Sequence, residues 1–124
     1  MAKKILVIDD EELIIKSLSK LLEKNGYEVF VTKNSQDALI MIEEEDFDLV
    51  LADIRMPGMN GVETITQIYK NQLEAKKKKI PVIFITGYAD EEVEEKAKTL
   101  EPIAYIYKPF EIDKLLNTIK KALD

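Results

Sequence analysis

Cysteine, histidine and tryptophan are absent from this chain. Without cysteine there is no disulfide framework, no thiolate zinc site and no thiol nucleophile. Without histidine, Ser-His-Asp catalysis, imidazole-ligated metals and histidine proton shuttling all fall away. The chain also cannot carry a phosphohistidine of its own. Positive charge is in short supply: 18 basic residues face 24 acidic ones, a net charge of −6, and Arg55 is the only arginine. Nucleic-acid binders need a basic footprint and favour arginine for reading bases, so direct nucleic-acid binding is not expected. Long apolar runs are missing too. The longest, Ala38 to Ile42 and Ile103 to Tyr107, are far short of the roughly 20 residues of a membrane-spanning helix. The N-terminus passes from Lys3-Lys4 through Ile5–Ile8 straight into Asp9, Asp10, Glu11 and Glu12, which is not a signal peptide. A cytoplasmic location is the expectation.

What is present is a regular alternation. The 124 residues suit one domain, taken as 1–124, with roughly two thirds of the unfolded surface buried. The short β-branched run Ile5–Ile8 reads as a buried strand, and the apolar runs Val29–Val31, Leu49–Ala52, Val82–Ile85 and Ile103–Ile106 read as four further strands. Between them lie segments with helical spacing. The first, residues 11–24, carries Ile14, Leu18, Leu21 and Leu22 and ends at Asn25-Gly26. The second opens at Asn34 with Asp37 three residues on. The third follows a turn-rich stretch from Met56 to Gly61. The fourth, residues 90–99, is weak, with Val93, Ala97 and Leu100 as its anchors; the last carries Ile112, Leu115, Leu116, Ile119 and Leu123 on one stripe. Lys76–Lys79 reads as a solvated loop. Five strand–helix units in succession predict an α/β fold: a parallel sheet, doubly wound, with helices on both faces.

In such a sheet ligands bind outside the carboxyl ends of the strands. Asp9 and Asp10 follow the first strand, Asp53 the third, Thr86 the fourth and Lys108 the fifth. Helix capping would explain one aspartate. It does not explain two, with a third across the sheet. Two carboxylates about 4 Å apart repel by about 4 kcal/mol at an effective dielectric of 20, so a cation is needed. The donors are all oxygen, which suits Mg²⁺ (or Mn²⁺) and not Zn²⁺. A divalent cation, a lysine and a threonine hydroxyl together suit phosphoryl oxygens. No glycine-rich nucleotide loop is present. Asp53 is the carboxylate placed to act as nucleophile and form an aspartyl-phosphate.

At these residues the sequence resembles the response-regulator receiver domains of two-component signalling. The likeness spans the whole chain: Asp9-Asp10, Asp53 through Gly61, Thr86-Gly87, and Tyr105 through Phe110. It implies a flavodoxin-like (βα)5 fold with strand order 2-1-3-4-5. It implies Asp53 as phosphoacceptor, with Asp10, Asp9, Asp53 and the main-chain carbonyl of Arg55 around Mg²⁺. Lys108 would pair with the phosphoryl group, ahead of a cis bond to Pro109. Thr86 and Tyr105 would form a switch pair, Tyr105 rotating inward as the Thr86 hydroxyl moves. The implied donor is a histidine kinase or histidine phosphotransfer protein. The output is a separate protein or an effector domain beyond this chain, read from the surface of helix four, strand five and helix five. Such a protein is no conventional enzyme; it catalyses its own phosphoryl transfer and self-dephosphorylation. The alternative is a constitutive interaction module with a vestigial site. A flavin-binding protein of the same topology is disfavoured by the four acids after the first strand.

Three finer expectations follow. Leu13, Ile14 and Ile15 put more apolar surface on helix one than one buried face needs, and part of this cluster, with Leu13 and Ile15 as the residues to test, is a candidate for docking the kinase or phosphotransfer helix. Arg55 and Tyr88 are bulky neighbours that would slow self-dephosphorylation. Glu101-Pro102 replaces the Gly-Ala usual in the family, so a departure in geometry is expected in that loop and not at the site; Asn60 for the frequent Asp is expected to matter little.

Overall fold

A computed structural model describes residues 2–87 and 90–123. Five strands, β1 (Lys4–Ile8), β2 (Glu28–Thr32), β3 (Leu49–Asp53), β4 (Val82–Thr86) and β5 (Ala104–Tyr107), alternate with five helices, α1 (Glu12–Lys24), α2 (Ser35–Glu44), α3 (Gly61–Glu74), α4 (Glu91–Thr99) and α5 (Ile112–Leu123). All pairings are parallel and the order is β2-β1-β3-β4-β5, as the resemblance implies.

The alternation of side chains along each strand divides the core into two layers. Leu6, Ile8, Val50, Ala52, Val82 and Phe84 face α2, α3 and α4, meeting Ala38, Val62, Ile65, Ile68 and Ala97. Ile5, Val7, Leu49, Leu51, Ile83 and Ile85 face α1 and α5, meeting Leu18, Leu22, Leu115 and Ile119. Because β3 is central and covered on both sides, all five of its residues are buried, Asp53 included.

Local signals act as expected at several ends. Asn34 Oδ1 accepts the Asp37 N–H at 2.8 Å and opens α2. Gly26 takes φ 88° after α1. Asn60 does more than expected: its side chain accepts the Glu63 N–H while Glu63 accepts the Asn60 N–H, a reciprocal box that starts α3. Glu101 adopts φ 55°, the left-handed conformation that glycine reaches without steric penalty. Lys76–Lys79 is exposed, as a solvated loop should be.

Two apolar positions differ from the sequence reading. Ile15 is buried, so it belongs to the core and is no docking residue; Leu13 alone stands out, 81% exposed. Ile112, placed on the buried stripe of the last helix, is exposed because it is the first residue of α5, beyond the edge of the layer that holds Leu115 and Ile119.

Candidate phosphoacceptor site

The carboxyl ends of β1, β3 and β5 deliver the charged residues. Asp9 follows β1 directly, and its N–H donates to the Thr32 carbonyl at 3.1 Å. Its Oδ1 accepts the Glu11 N–H at 2.9 Å. Glu11 holds the N-cap position of α1 and makes no side-chain cap bond. The aspartate pair is therefore not the helix cap. Asp53 is the last residue of β3, held in register against Ile85. Carboxylate oxygens of Asp9, Asp10 and Asp53 lie within 4.8 Å of one another, with Asp10 exposed and the other two buried.

Lys108 reaches in from the end of β5. Its N–H donates to the Thr86 carbonyl at 2.7 Å, which fixes the backbone beside the end of β4. The Lys108–Pro109 peptide is cis, as expected. The Lys108 side chain is 11% exposed, and Nζ stands 2.8 Å from Glu11 Oε1, 3.3 Å from Asp9 Oδ2 and 3.6 Å from Asp53 Oδ2. Burial presses the ammonium pKa down, but the Glu11 hydrogen bond and the charges of Asp53 and Asp9 outweigh it, and the net shift is upward.

One lysine does not neutralise the cluster. Burial, with repulsion from Asp9, pushes the Asp53 carboxyl up to about 6, against the opposing pull of Lys108 and the Arg55 N–H. A carboxylate set of this density, all oxygen and still short of positive charge, fits a hard divalent cation such as Mg²⁺.

Thr86, fully buried, ends β4. Tyr105 pairs with Phe84 one strand over. Its ring lies 6.2 Å from that of Phe84 and 5.5 Å, edge to face, from that of Tyr107. Its hydroxyl is buried and, among the described residues, has no hydrogen-bond partner. The residue as a whole is half-buried, packed against the layer under α4. Tyr88 lies outside the described residues.

Gly61 and Glu11 were not singled out from the sequence. A Cβ on Gly61 would stand 2.1 Å from the Asp53 carbonyl oxygen, so the start of α3 packs directly on the backbone that carries Asp53. Nothing but the Asn60-Gly61 pair hinted at this. Glu11 stood in the acidic run after β1, with no sign that it reaches Lys108.

The chain matches the response regulator receiver domain family over residues 5–120. It belongs to that family. It is 33% identical over 123 residues to sporulation initiation phosphotransferase F of Bacillus subtilis, spanning 99% of this chain and 95% of that one. It is 36% identical over 123 residues to the polar-differentiation response regulator DivK of Brucella anthropi, spanning 99% and 98%. The crystal structure of a CheY-like receiver domain protein from Methanospirillum hungatei superposes with a TM-score of 0.90 at 35% identity, over 100% of this chain and 95% of that one. Receiver domains are signalling switches rather than classical enzymes, and they work with histidine kinases or phosphotransfer proteins and with effectors. Among the described residues no helix is long and apolar enough to cross a membrane.

Proposed function

We propose that residues 1–124 form one receiver domain that is switched by phosphorylation of Asp53. The observation that carries this reading is the buried Asp53 carboxylate, close to Asp9 and Asp10, with Lys108 Nζ at 3.6 Å. The donor is a phosphohistidine on a histidine kinase or phosphotransfer protein. An Asp53 carboxylate oxygen attacks the phosphorus, the P–N bond breaks, and the imidazole leaves with a proton. The product adds about −1.5 to −2 charges and three acceptor oxygens. Asp9, Asp10, Asp53 and the Arg55 main-chain carbonyl are the residues to hold Mg²⁺, which when bound would neutralise charge on the phosphoryl oxygens. Lys108 supplies the remaining positive charge.

The Thr86 hydroxyl and Tyr105 are the switch residues. Thr86 ends β4 at the site, and Tyr105 underlies α4 from the neighbouring strand. The buried Tyr105 hydroxyl, which has no hydrogen-bond partner among the described residues, gains from a movement that gives it a partner or returns it to water. The surface of α4, β5 and α5 is the output, read by a separate protein or an attached effector. Because such donors are made from ATP by intracellular kinases, the reading puts the protein in the cytoplasm.

Intact-protein mass after incubation with acetyl phosphate tests this. A single phosphoryl adduct that needs Mg²⁺ and is lost in Asp53→Asn is the expected result. An adduct that survives Asp53→Asn would move the acceptor to another carboxylate. No adduct from acetyl phosphate or from a phosphorylated kinase would favour the interaction module.

A further inference from the structure

Lys108 has three carboxylates within reach, and the nearest is not the one it is to serve. Nζ is 2.8 Å from Glu11 Oε1, a charge-assisted hydrogen bond. Asp9 Oδ2 follows at 3.3 Å. Asp53 Oδ2, at 3.6 Å, is beyond hydrogen-bond distance. The Glu11 side chain has no capping duty on α1 and is 57% exposed. Its tie to Lys108 is thus a pair with one wet partner, the kind that contributes least and yields most easily.

Resting on the switch reading above, we propose that Glu11 is a positioning residue: it holds the Lys108 ammonium off Asp53 in the resting state and releases it when Asp53 carries a phosphoryl group. A ligand shifts an equilibrium only by its differential contacts in the two states. The Glu11–Lys108 bond exists in the resting state and must be given up for Lys108 to reach phosphoryl oxygens. Glu11 therefore lowers occupancy of the phosphorylated state. The same bond leaves Asp53 less shielded by Lys108, in keeping with its unneutralised surroundings.

The test titrates the full chain with beryllofluoride, a phosphoryl mimic, in saturating Mg²⁺, followed by amide NMR shifts. Glu11→Gln removes the tie. Glu12→Gln removes the same charge one residue on, from a side chain that pairs with Lys33. Glu11→Gln is expected to bind the mimic about two- to fivefold more tightly than the wild type, a range that fits an exposed ion pair. Glu12→Gln should match the wild type. The gain should vanish when Glu11→Gln is combined with Lys108→Ala. In the metal-free protein, the Lys108 side-chain resonances should shift in Glu11→Gln and stay put in Glu12→Gln. Equal affinity in Glu11→Gln and wild type would overturn the proposal. So would an equal gain in Glu12→Gln, or a gain that survives Lys108→Ala. A wild-type chain that takes neither beryllofluoride nor phosphoryl overturns the switch reading itself, a result distinguishable from all of these.

Discussion

Asp53 ends a strand that is buried from end to end, and its carboxyl sits at about 6 instead of its ordinary 3.8. Burial is the first cause and Asp9 the second. A carboxyl raised in the folded state has a definite sign in linkage. Below the unfolded value both states hold the proton, and nothing is lost. Between the two values the unfolded chain has released its proton while the folded chain keeps it, so stability falls as pH rises through this window. Above about pH 6 the full penalty is present, roughly 2–3 kcal/mol at 1.4 kcal/mol per unit. In buffer with a chelator, Asp53→Asn should therefore melt several degrees above the wild type at about pH 7.5, and the gap should close by about pH 4. Equal melting temperatures at the higher pH would show that Lys108 already neutralises Asp53. The Arg55 N–H and Lys108 each offset part of this penalty, and Gly61 packs on the Asp53 backbone so closely that a Cβ there would clash with the Asp53 carbonyl.

The helices differ in how firmly they are held. α3 buries Val62, Ile65 and Ile68, and α1 buries Ile15, Leu18 and Leu22, whereas α4 buries Ala97 alone. Its remaining anchors, Val93 and Leu100, are half-buried. Burying one alanine yields much less than burying three aliphatic side chains. Local opening follows local anchorage, so backbone amides of α4 should exchange with solvent faster than those of α1 and α3. Protection of α4 equal to that of α3 would remove it as the mobile part of the output surface. This weakness was legible in the sequence, because 90–99 holds few apolar residues whatever their arrangement. The strands were legible for the converse reason: a sheet covered on both faces needs continuous apolar runs. Errors came at element ends. Asp53 and Thr86 read as residues after their strands and prove to be the last residues within them, since hydrogen bonding to a neighbour continues past the apolar run. Ile112 kept the right period but lay at the helix start, past the covering layer. Glu11 and Gly61 escaped notice because their roles arise from approach across 97 residues in one case and from backbone packing in the other.

Across the whole molecule, the site exists only while the sheet does. Asp9 and Lys108 are 99 residues apart in sequence and 3.3 Å apart in space, and Asp53 comes from the strand between them in the sheet order. An unfolded chain cannot bring these groups together, so a cation that binds them binds the native state alone. Its binding energy then adds to global stability as RT ln(1 + [L]/Kd), about 1.4 kcal/mol at tenfold excess over Kd. Mg²⁺ should raise the melting temperature in a saturable way, by a few degrees for a domain of this size, and a chelator should reverse it. The molecule also carries a net charge of −6, so any salt will relieve some self-repulsion. Two comparisons separate the effects. KCl at matched ionic strength should reproduce only the unsaturable part. Asp10→Asn, at an exposed position of the cluster, should leave the metal-free melting temperature nearly unchanged and abolish the saturable rise. If Asp10→Asn gains as much from Mg²⁺ as the wild type does, the cation is acting on the general charge of the surface and the three aspartates are not its site.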